Sequence, residues 1–482
     1  MNIESQPNII FIVLDTCRAD IFYQLLDEGK LPGIQQIAAD ATKYRNATSV
    51  APWTVPSHGS MFSGLYPAGH GTSADDPYFD PPTTPLAELL RLEGYETVGL
   101  SANPWITPNF DFTAGFERFK TENELFWGGS DLSGIGGLDS PREQLIELLN
   151  RMSLTNIPKT VTNAIYAKVF AHRTDDGASR LTSDAIKWFT GRSSDNPFFL
   201  FCNYTEPHLE YDPPAPFLRE ELPETIDTKT ARSVNQDQWA YITGNVEMAK
   251  RDFEILRSLY RAEIRYLDSK LARLFKKFTK QNPLNNTAFI LTSDHGENIG
   301  EHDLMDHQYC LYETLLHVPL LIRYPPLFKE QKTNSLVETH RLYETITDIA
   351  GIEETAQRTA PSLVDSSAET EYTIAEYTAP QPSVETLDEE YGPFSDDIWR
   401  YDRALRSIRN ERWKFIERSD RTADLYDLHT DPDELTPIEN SDLQTTLQDV
   451  LETRRGALTG PSSKYADIDT GIKQQLRDLG YL

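Results

Sequence analysis

Cysteine is scarce in this chain: Cys17, Cys202 and Cys310 are the only three in 482 residues. An odd, widely spaced set without a CxxC pair excludes a disulfide framework and a thiolate zinc site. Positive charge is also short, with 46 Lys and Arg against 75 Asp and Glu and a net charge of −29. Such a surface repels polyphosphate, which argues against a nucleic-acid partner. Long apolar runs are missing too. The N-terminal "MNIESQPNIIFIVLD" has no basic n-region and an apolar run of only about seven residues, so it reads as a strand rather than a leader. No stretch approaches the roughly 18 apolar residues of a membrane span, and the expectation is a cytoplasmic protein. Acidic residues are spread along the chain rather than collected in a tail, and Arg outnumbers Lys. That pattern suits a protein adapted to high salt.

Five near-continuous apolar runs are present: "NIIFIVLD" (8–15), "ETVGLSAN" (96–103), "PFFLFCNY" (197–204), "TAFILTSD" (287–294) and "VPLLIRYP" (318–325). Strands covered on both faces look like this. Helical segments alternate with them. "TPLAELLRLEG" offers Thr84 as N-cap, Pro85 at the first helical position and Gly94 as a stop, and 253–278 carries apolar residues at helical spacing. The alternation predicts an α/β fold with a mostly parallel sheet between helix layers. The glycine-rich "WGGSDLSGIGG" follows no strand and lacks the spacing of a phosphate loop, so it reads as an insertion. The polar segment 353–400 reads as a linker with long loops. After it, "ALRSIRNERWKFIER" and "ADLYDLHTDPDE" predict antiparallel strands of a small C-terminal α+β subdomain.

Ligands of open α/β sheets gather beyond the carboxyl ends of the strands. Two predicted strands end in potential metal ligands: Asp15 after the first, Asp294 and His295 after the fourth. Two carboxylates and an imidazole can hold a divalent ion, although a lone Asp at a strand end can equally cap a turn. Thr54 lies at the start of a short helix that "SHGSMFSGLYP" ends at Gly64. There it is either an N-cap or a hydroxyl beside an anion-binding helix terminus, and a metal would be needed to make it a nucleophile. His208, His302 and His307 fall in loops after the third and fourth strands, and each is either a site residue or a solvated histidine. His317, ahead of the fifth run, is a packing or capping residue.

Several ordered motifs resemble the sulfatases of the alkaline phosphatase superfamily. "PNIIFIVLDTCRAD" resembles their first strand and metal Asp, "APWTVPSHGSMFSGLYPAGHG" their nucleophile segment, and "TSDHGENIGEHD" their second metal motif. "LYETLLHVPLLIRYP", "HRLYETITDIAGI", "WKFIERSDRTADLYDLHTDPDE" and "LRDLGYL" resemble the segments that follow. The resemblance implies a catalytic domain over 1–350 with an insertion at about 121–190, and a C-terminal subdomain over 351–482 that completes the fold. It implies a metal-dependent hydrolase of small-molecule sulfate or phosphate esters. Asp15, Asp294 and His295 take the positions of metal ligands, and Thr54 that of a nucleophile touching the metal. His208 takes the position of a histidine that binds the ester. His307 takes that of a group that binds the anion or protonates the leaving oxygen, and His58, Asn103 and His302 are added as substrate contacts.

The sequence departs from the family at three points. Thr54-Val55-Pro56-Ser57-His58 stands where Cys-x-Pro-x-Arg would be, so formylglycine is not expected. His295 adds a nitrogen to an otherwise oxygen-rich set, which favours Mn2+ or Zn2+ over Ca2+. "LSANPWIT" replaces a Lys- and His-bearing segment, leaving Asn103 as an ester contact or a turn residue before Pro104. A threonine nucleophile is typical of the phosphodiesterase and the lipid phosphoglycerol or phosphoethanolamine transferase branches of that superfamily, so a phosphodiesterase, phosphonate esterase or headgroup transferase activity competes with sulfate hydrolysis. A second metal needs three more ligands, and the resemblance assigns two of the candidate histidines to substrate, so one divalent ion is expected. A binding protein that lost catalysis is the remaining alternative.

Overall fold

Alternating burial along the chain fixes the layers. In a computed structural model that describes residues 6–121, 177–281, 286–352, 358–365, 370–392 and 396–460, ten strands precede the C-terminal sheet. They are β1 (Asn8–Leu14), β2 (Thr42–Thr48), β3 (Glu96–Ser101), β4 (Arg118–Thr121), β5 (Phe198–Tyr204), β6 (Thr287–Ser293), β7 (Asn298–Ile299), β8 (Met305–Asp306), β9 (His317–Arg323) and β10 (Gln331–Glu338). Eight form one sheet in the order β10-β2-β9-β6-β1-β5-β3-β4, with β7 and β8 paired separately. β9 runs antiparallel to both its neighbours and every other pairing in the large sheet is parallel. Ile10, Ile12 and Leu14 of β1 enter one core with Leu200 and Cys202 of β5. Ile9, Phe11 and Val13 enter the core on the opposite face with Phe199 and Phe201. This period of two with both faces covered is why these strands are apolar throughout.

All five strand predictions hold, and they are the five consecutive central strands, β9-β6-β1-β5-β3. The three not anticipated lie toward the sheet margins. "TKYRNAT" and "QKTNSLVE" keep polar residues because part of each is solvated. The helix predicted from Thr84 begins one residue later, at Leu86, with Pro85 in the cap position. The predicted 253–278 helix spans Lys250–Gln281, and its apolar stripe packs on the helices Pro32–Ala38 and Ala178–Gly191. The described residues of 353–400 are not a plain linker: they carry β11 (Thr373–Tyr377) and the helix Val384–Tyr391. β11 pairs antiparallel with β12 (Leu405–Arg409), which pairs with β13 (Trp413–Arg418), which pairs with β14 (Ala423–Asp427). The helix Ser441–Arg455 covers this sheet through Leu447 and Leu451. The glycine-rich "WGGSDLSGIGG" and the terminal "LRDLGYL" lie outside the described residues. No helix among the described residues is long and apolar enough to cross a membrane.

A buried ion cluster fastens the C-terminal sheet to the large one. Lys414 of β13, fully buried, binds Glu313 at 2.9 Å and Glu434 at 2.8 Å, and Arg409 of β12 also pairs with Glu313. Glu313 opens the short helix Glu313–Leu316. The carbonyls of Thr314 and Leu315 in that helix accept the N–H groups of Glu297 and Gly296, beside the strand end that carries Asp294 and His295. Removing Glu313 leaves buried cations with one carboxylate. Glu313→Ala is therefore expected to destabilise the fold by ~3–5 kcal/mol in denaturant titration; a change within ~0.5 kcal/mol, the size of a surface substitution, would show that the cluster does not hold the two sheets together.

Candidate active site

Four strand ends converge. Asp15 follows β1, Asn103 follows β3, His208 follows β5, and Asp294 and His295 follow β6. Ser293 ties two of these ends together: its hydroxyl donates toward the Leu14 and His295 carbonyls, each at 2.6 Å, and accepts from the Cys17 N–H at 2.8 Å. Tyr260, from the long helix, holds the chain after Asp15 by accepting from the Arg18 N–H and donating to the Thr16 carbonyl. Gly296 is required by space, because a Cβ there would stand 2.0 Å from the Thr314 carbonyl oxygen.

Asp15, Asp294 and His295 meet as expected, fully buried, with donor atoms within 4.8 Å of one another. His295 Nδ1 donates to the Gly296 carbonyl at 2.9 Å, which leaves the lone pair on Nε2. That nitrogen stands 3.5 Å from Asp15 Oδ1 and 3.4 Å from Asp294 Oδ2. Neither carboxylate oxygen has a hydrogen bond. The outer oxygens are satisfied: Asp15 Oδ2 accepts from Asn103 Nδ2 at 2.5 Å, and Asp294 Oδ1 accepts from the N–H groups of His295 and Thr16. These three atoms thus face one another without a hydrogen bond among them. Donors bonded to one ion at ~2.0–2.2 Å sit roughly 3.0–3.6 Å apart, so these separations fit a divalent cation. Burial and the neighbouring Asp294 push the Asp15 carboxyl well above its usual range, and burial drives His295 far down; both shifts register charge and lone pairs crowded in a dry place.

Thr54 is the first residue of the helix Thr54–Ser63, and the cap position before it belongs to Trp53. Its hydroxyl lies 3.3 Å from His295 Nε2, at the metal group. The helix is pinned there by Ser57, whose hydroxyl donates to the Asp294 carbonyl at 2.7 Å. Gly64, in the left-handed conformation, ends the helix as expected.

The remaining assignments divide. His208 and His307 come together, with ring centres 5.2 Å apart, and His307 lies 4.4 Å from His295. Asn103 reaches the site, but as the donor that orients Asp15, and its own oxygen accepts from the Trp105 N–H. His58 is fully buried against Phe62 and Phe201 and donates from Nδ1 to the Thr54 carbonyl at 2.9 Å. Burial lowers it to about 4, and the ring steadies the first helical turn with its Nδ1 3.6 Å from Asp294 Oδ2. His302 stacks on Tyr312 at 3.6 Å, beside Arg418 and Tyr401 of the C-terminal region, and does not join either histidine group. His317 packs as expected, its Nε2 donating to the Arg45 carbonyl.

Two residues escaped the sequence reading. Asp306 joins His208 and His307, because the two-residue ladder of β7 and β8 folds the chain back onto β6. Glu297, fully buried, stands 3.6 Å from His307 Nδ1. A ladder this short gives no periodicity, though the run of Asp and His in "GEHDLMDH" was a compositional signal. If Asn103 orients a metal ligand, Asn103→Ala should weaken Mn2+ binding by ~10–100-fold in calorimetry. An ester contact would instead raise KM and leave Mn2+ affinity unchanged.

Comparison with known proteins agrees with this fold. The sulfatase family profile matches residues 7–352, and that of the N-sulphoglucosamine sulphohydrolase C-terminal region matches 300–459. Arylsulfatase K of Canis lupus familiaris is 26% identical over 462 residues, covering 90% of this chain and 79% of its own length. An arylsulfatase of Clostridium perfringens is 24% identical and covers 91% of both chains. Among solved structures, the phosphonate monoester hydrolase of Agrobacterium radiobacter superimposes with TM-score 0.68 at 19% identity, over 96% of this chain and 98% of its own. A protein solved in complex with its substrate D-glucosamine-2-N,6-O-disulfate gives TM-score 0.67 at 18% identity, over 94% and 98%. The strand order, the converging strand ends and a profile match over most of the length place the chain in the sulfatase family.

Proposed function

We propose that this protein hydrolyses sulfate esters of small molecules, with the Thr54 hydroxyl as nucleophile and one divalent ion bound by Asp15, Asp294, His295 and Thr54. The observation that carries the reading is the Thr54 hydroxyl 3.3 Å from His295 Nε2, on the first turn of a helix, beside two buried carboxylate oxygens without hydrogen bonds. A divalent ion supplies the charge that lowers the hydroxyl pKa and polarises the ester oxygen. The donor set of two oxygens and one nitrogen favours Mn2+ or Zn2+ over Ca2+. Thr54 Oγ1 forms a bond to sulfur, the bond from sulfur to the alcohol oxygen breaks, and the alcohol leaves as it gains a proton. Water then attacks the sulfo-threonine and restores Thr54. With the His295 Nε2 lone pair holding the ion, the Thr54 proton would pass to water as the hydroxyl meets the ion. His208 and His307 meet the charge on the remaining ester oxygens and on the leaving oxygen. The helix terminus at Thr54 adds a dipole favourable to an anion.

Phosphate ester hydrolysis is the second reading. It is favoured by the threonine itself: without an aldehyde hydrate to expel sulfate, turnover needs attack by water on the esterified threonine, a step equally open to a phosphoryl group. The pocket would then take a phosphodiester or phosphonate monoester.

Aryl sulfate, phosphate monoester, phosphodiester and phosphonate monoester, assayed in high salt, separate the two readings. Aryl sulfate should be the best substrate, and Thr54→Ala should lower kcat by at least ~10³-fold on every substrate. Full activity of Thr54→Ala would remove the nucleophile assignment. Chelation should abolish turnover, and Mn2+ or Zn2+ should restore it in wild type but not in Asp294→Asn; activity that survives chelation would refute the metal-dependent reading.

A further inference from the structure

His302 stands apart from the strand ends and lines a separate cavity of about 170 Å³. The cavity lies between the loop that carries β7 and β8 and one face of the C-terminal sheet. Leu405 of β12 and Arg418 of β13, direct cross-strand partners, form part of its wall with Ile416. The other face of that sheet is taken up by the helix Ser441–Arg455, through Phe415 against Leu447 and Leu451. Leu304 and Leu311 add aliphatic wall, and two ring pairs complete it. His302 lies flat on Tyr312, with ring centres 3.6 Å apart, and Tyr309 stacks on Tyr401 at 5.0 Å. His302 and Asp303 hold successive φ values of 55° and 58°. Side chains other than glycine seldom adopt that conformation, and where they do it tends to mark a functional place.

The charge of this cavity runs against that of the chain. Acidic residues outnumber basic ones by 75 to 46, yet Arg400, Arg403 and Arg418 line the cavity and, among the described residues, no Asp or Glu does. Two of these guanidinium groups are held by carboxylates outside the lining. Arg403 Nη1 donates to Asp420 at 2.8 Å, and Arg418 pairs with Asp424. Arg403 Nε is buried without a hydrogen bond, and a buried donor of that kind calls for an acceptor. Arg400 is exposed, so the cavity opens to solvent. Trp399, beside it on the short helix Asp396–Tyr401, is also exposed. We infer that this cavity binds a single-ring organic anion, an aryl carboxylate or sulfonate, with its ring against the aromatic and aliphatic wall and its charged group on Arg403 and Arg418. An apolar cavity of ~150 Å³ accepts one benzene ring, so the space suits one ring and little more. A bare inorganic anion leaves the apolar wall unused, and a neutral ring leaves Arg403 Nε without an acceptor. The organic anion meets both, by burial of its ring and by charge-assisted hydrogen bonds. The inference does not depend on the ester-hydrolysing reading, since none of the residues it uses touches the strand-end donors.

The probe is 4-iodobenzoate, titrated by calorimetry into the full chain. It should bind at least ~10-fold more tightly than inorganic sulfate or 4-iodobenzyl alcohol, a factor of the size of one hydrogen bond to a charged group. Arg403→Met and Arg418→Met should each weaken it by ~10-fold or more, and Thr54→Ala should leave it unchanged. Anomalous scattering from iodine in crystals of the wild type should place the probe in the cavity beside Tyr312 and Arg403, whatever the variants do. Binding that Thr54→Ala removes and both arginine variants keep would assign the anion to the strand-end site and overturn the inference. Equal affinity for the neutral alcohol would overturn the anion, and equal affinity for inorganic sulfate would overturn the ring. No binding by folded wild type, with no iodine in the cavity, would overturn the site altogether and leave the proposed hydrolysis standing.

Discussion

Three buried lone-pair donors aimed at one another are the constraint on which the site depends. Asp15 Oδ1, Asp294 Oδ2 and His295 Nε2 stand at hydrogen-bond range or just beyond it, yet no proton is placed to join the two carboxylate oxygens to anything. In a dry interior such an arrangement is repulsive unless a cation or shared protons compensate it. The rest of the local architecture holds these atoms in place. Asn103 fixes the outer oxygen of Asp15, backbone N–H groups fix that of Asp294, and the Gly296 carbonyl fixes the imidazole. Thr54 reaches this point because Ser57 and Ser49 bind its helix to the Asp294 carbonyl.

The support extends well beyond the strand ends. The loop after His295 leans on the helix Glu313–Leu316, and that helix is anchored by buried Lys414 and Arg409 of the C-terminal sheet. The smaller sheet therefore contributes to the geometry of the site, and its Ala375, Tyr377 and Leu405 join the core on one face of the larger sheet. Buried pairs of this kind are screened less by salt than exposed ones. That matters in a chain of net charge −29.

What was legible in the sequence follows burial. The central strands are apolar on both faces and were readable from their runs, together with Asp15, Asp294 and His295 at their ends. β2 and β10 carry solvated positions and gave no run. β11 was hidden in a polar segment, since five buried residues amid Glu and Thr leave little pattern. Thr54 was legible as a candidate, and the structure removes its alternative as a cap. His58 and His302 could not be judged from chain position, because one is turned into an aromatic core and the other onto Tyr312. Asp306 depended on a two-residue ladder that no periodicity reports.

The central claim is that an ordinary hydroxyl, Thr54, bonds to the sulfur. Mixing the metal-loaded enzyme with an aryl sulfate, quenching in acid and analysing peptides by mass spectrometry tests this directly. The account predicts a sulfo group on Thr54 within the peptide spanning 51–71. A sulfo group on any other residue, or the same adduct on that peptide in Thr54→Ala, would contradict it.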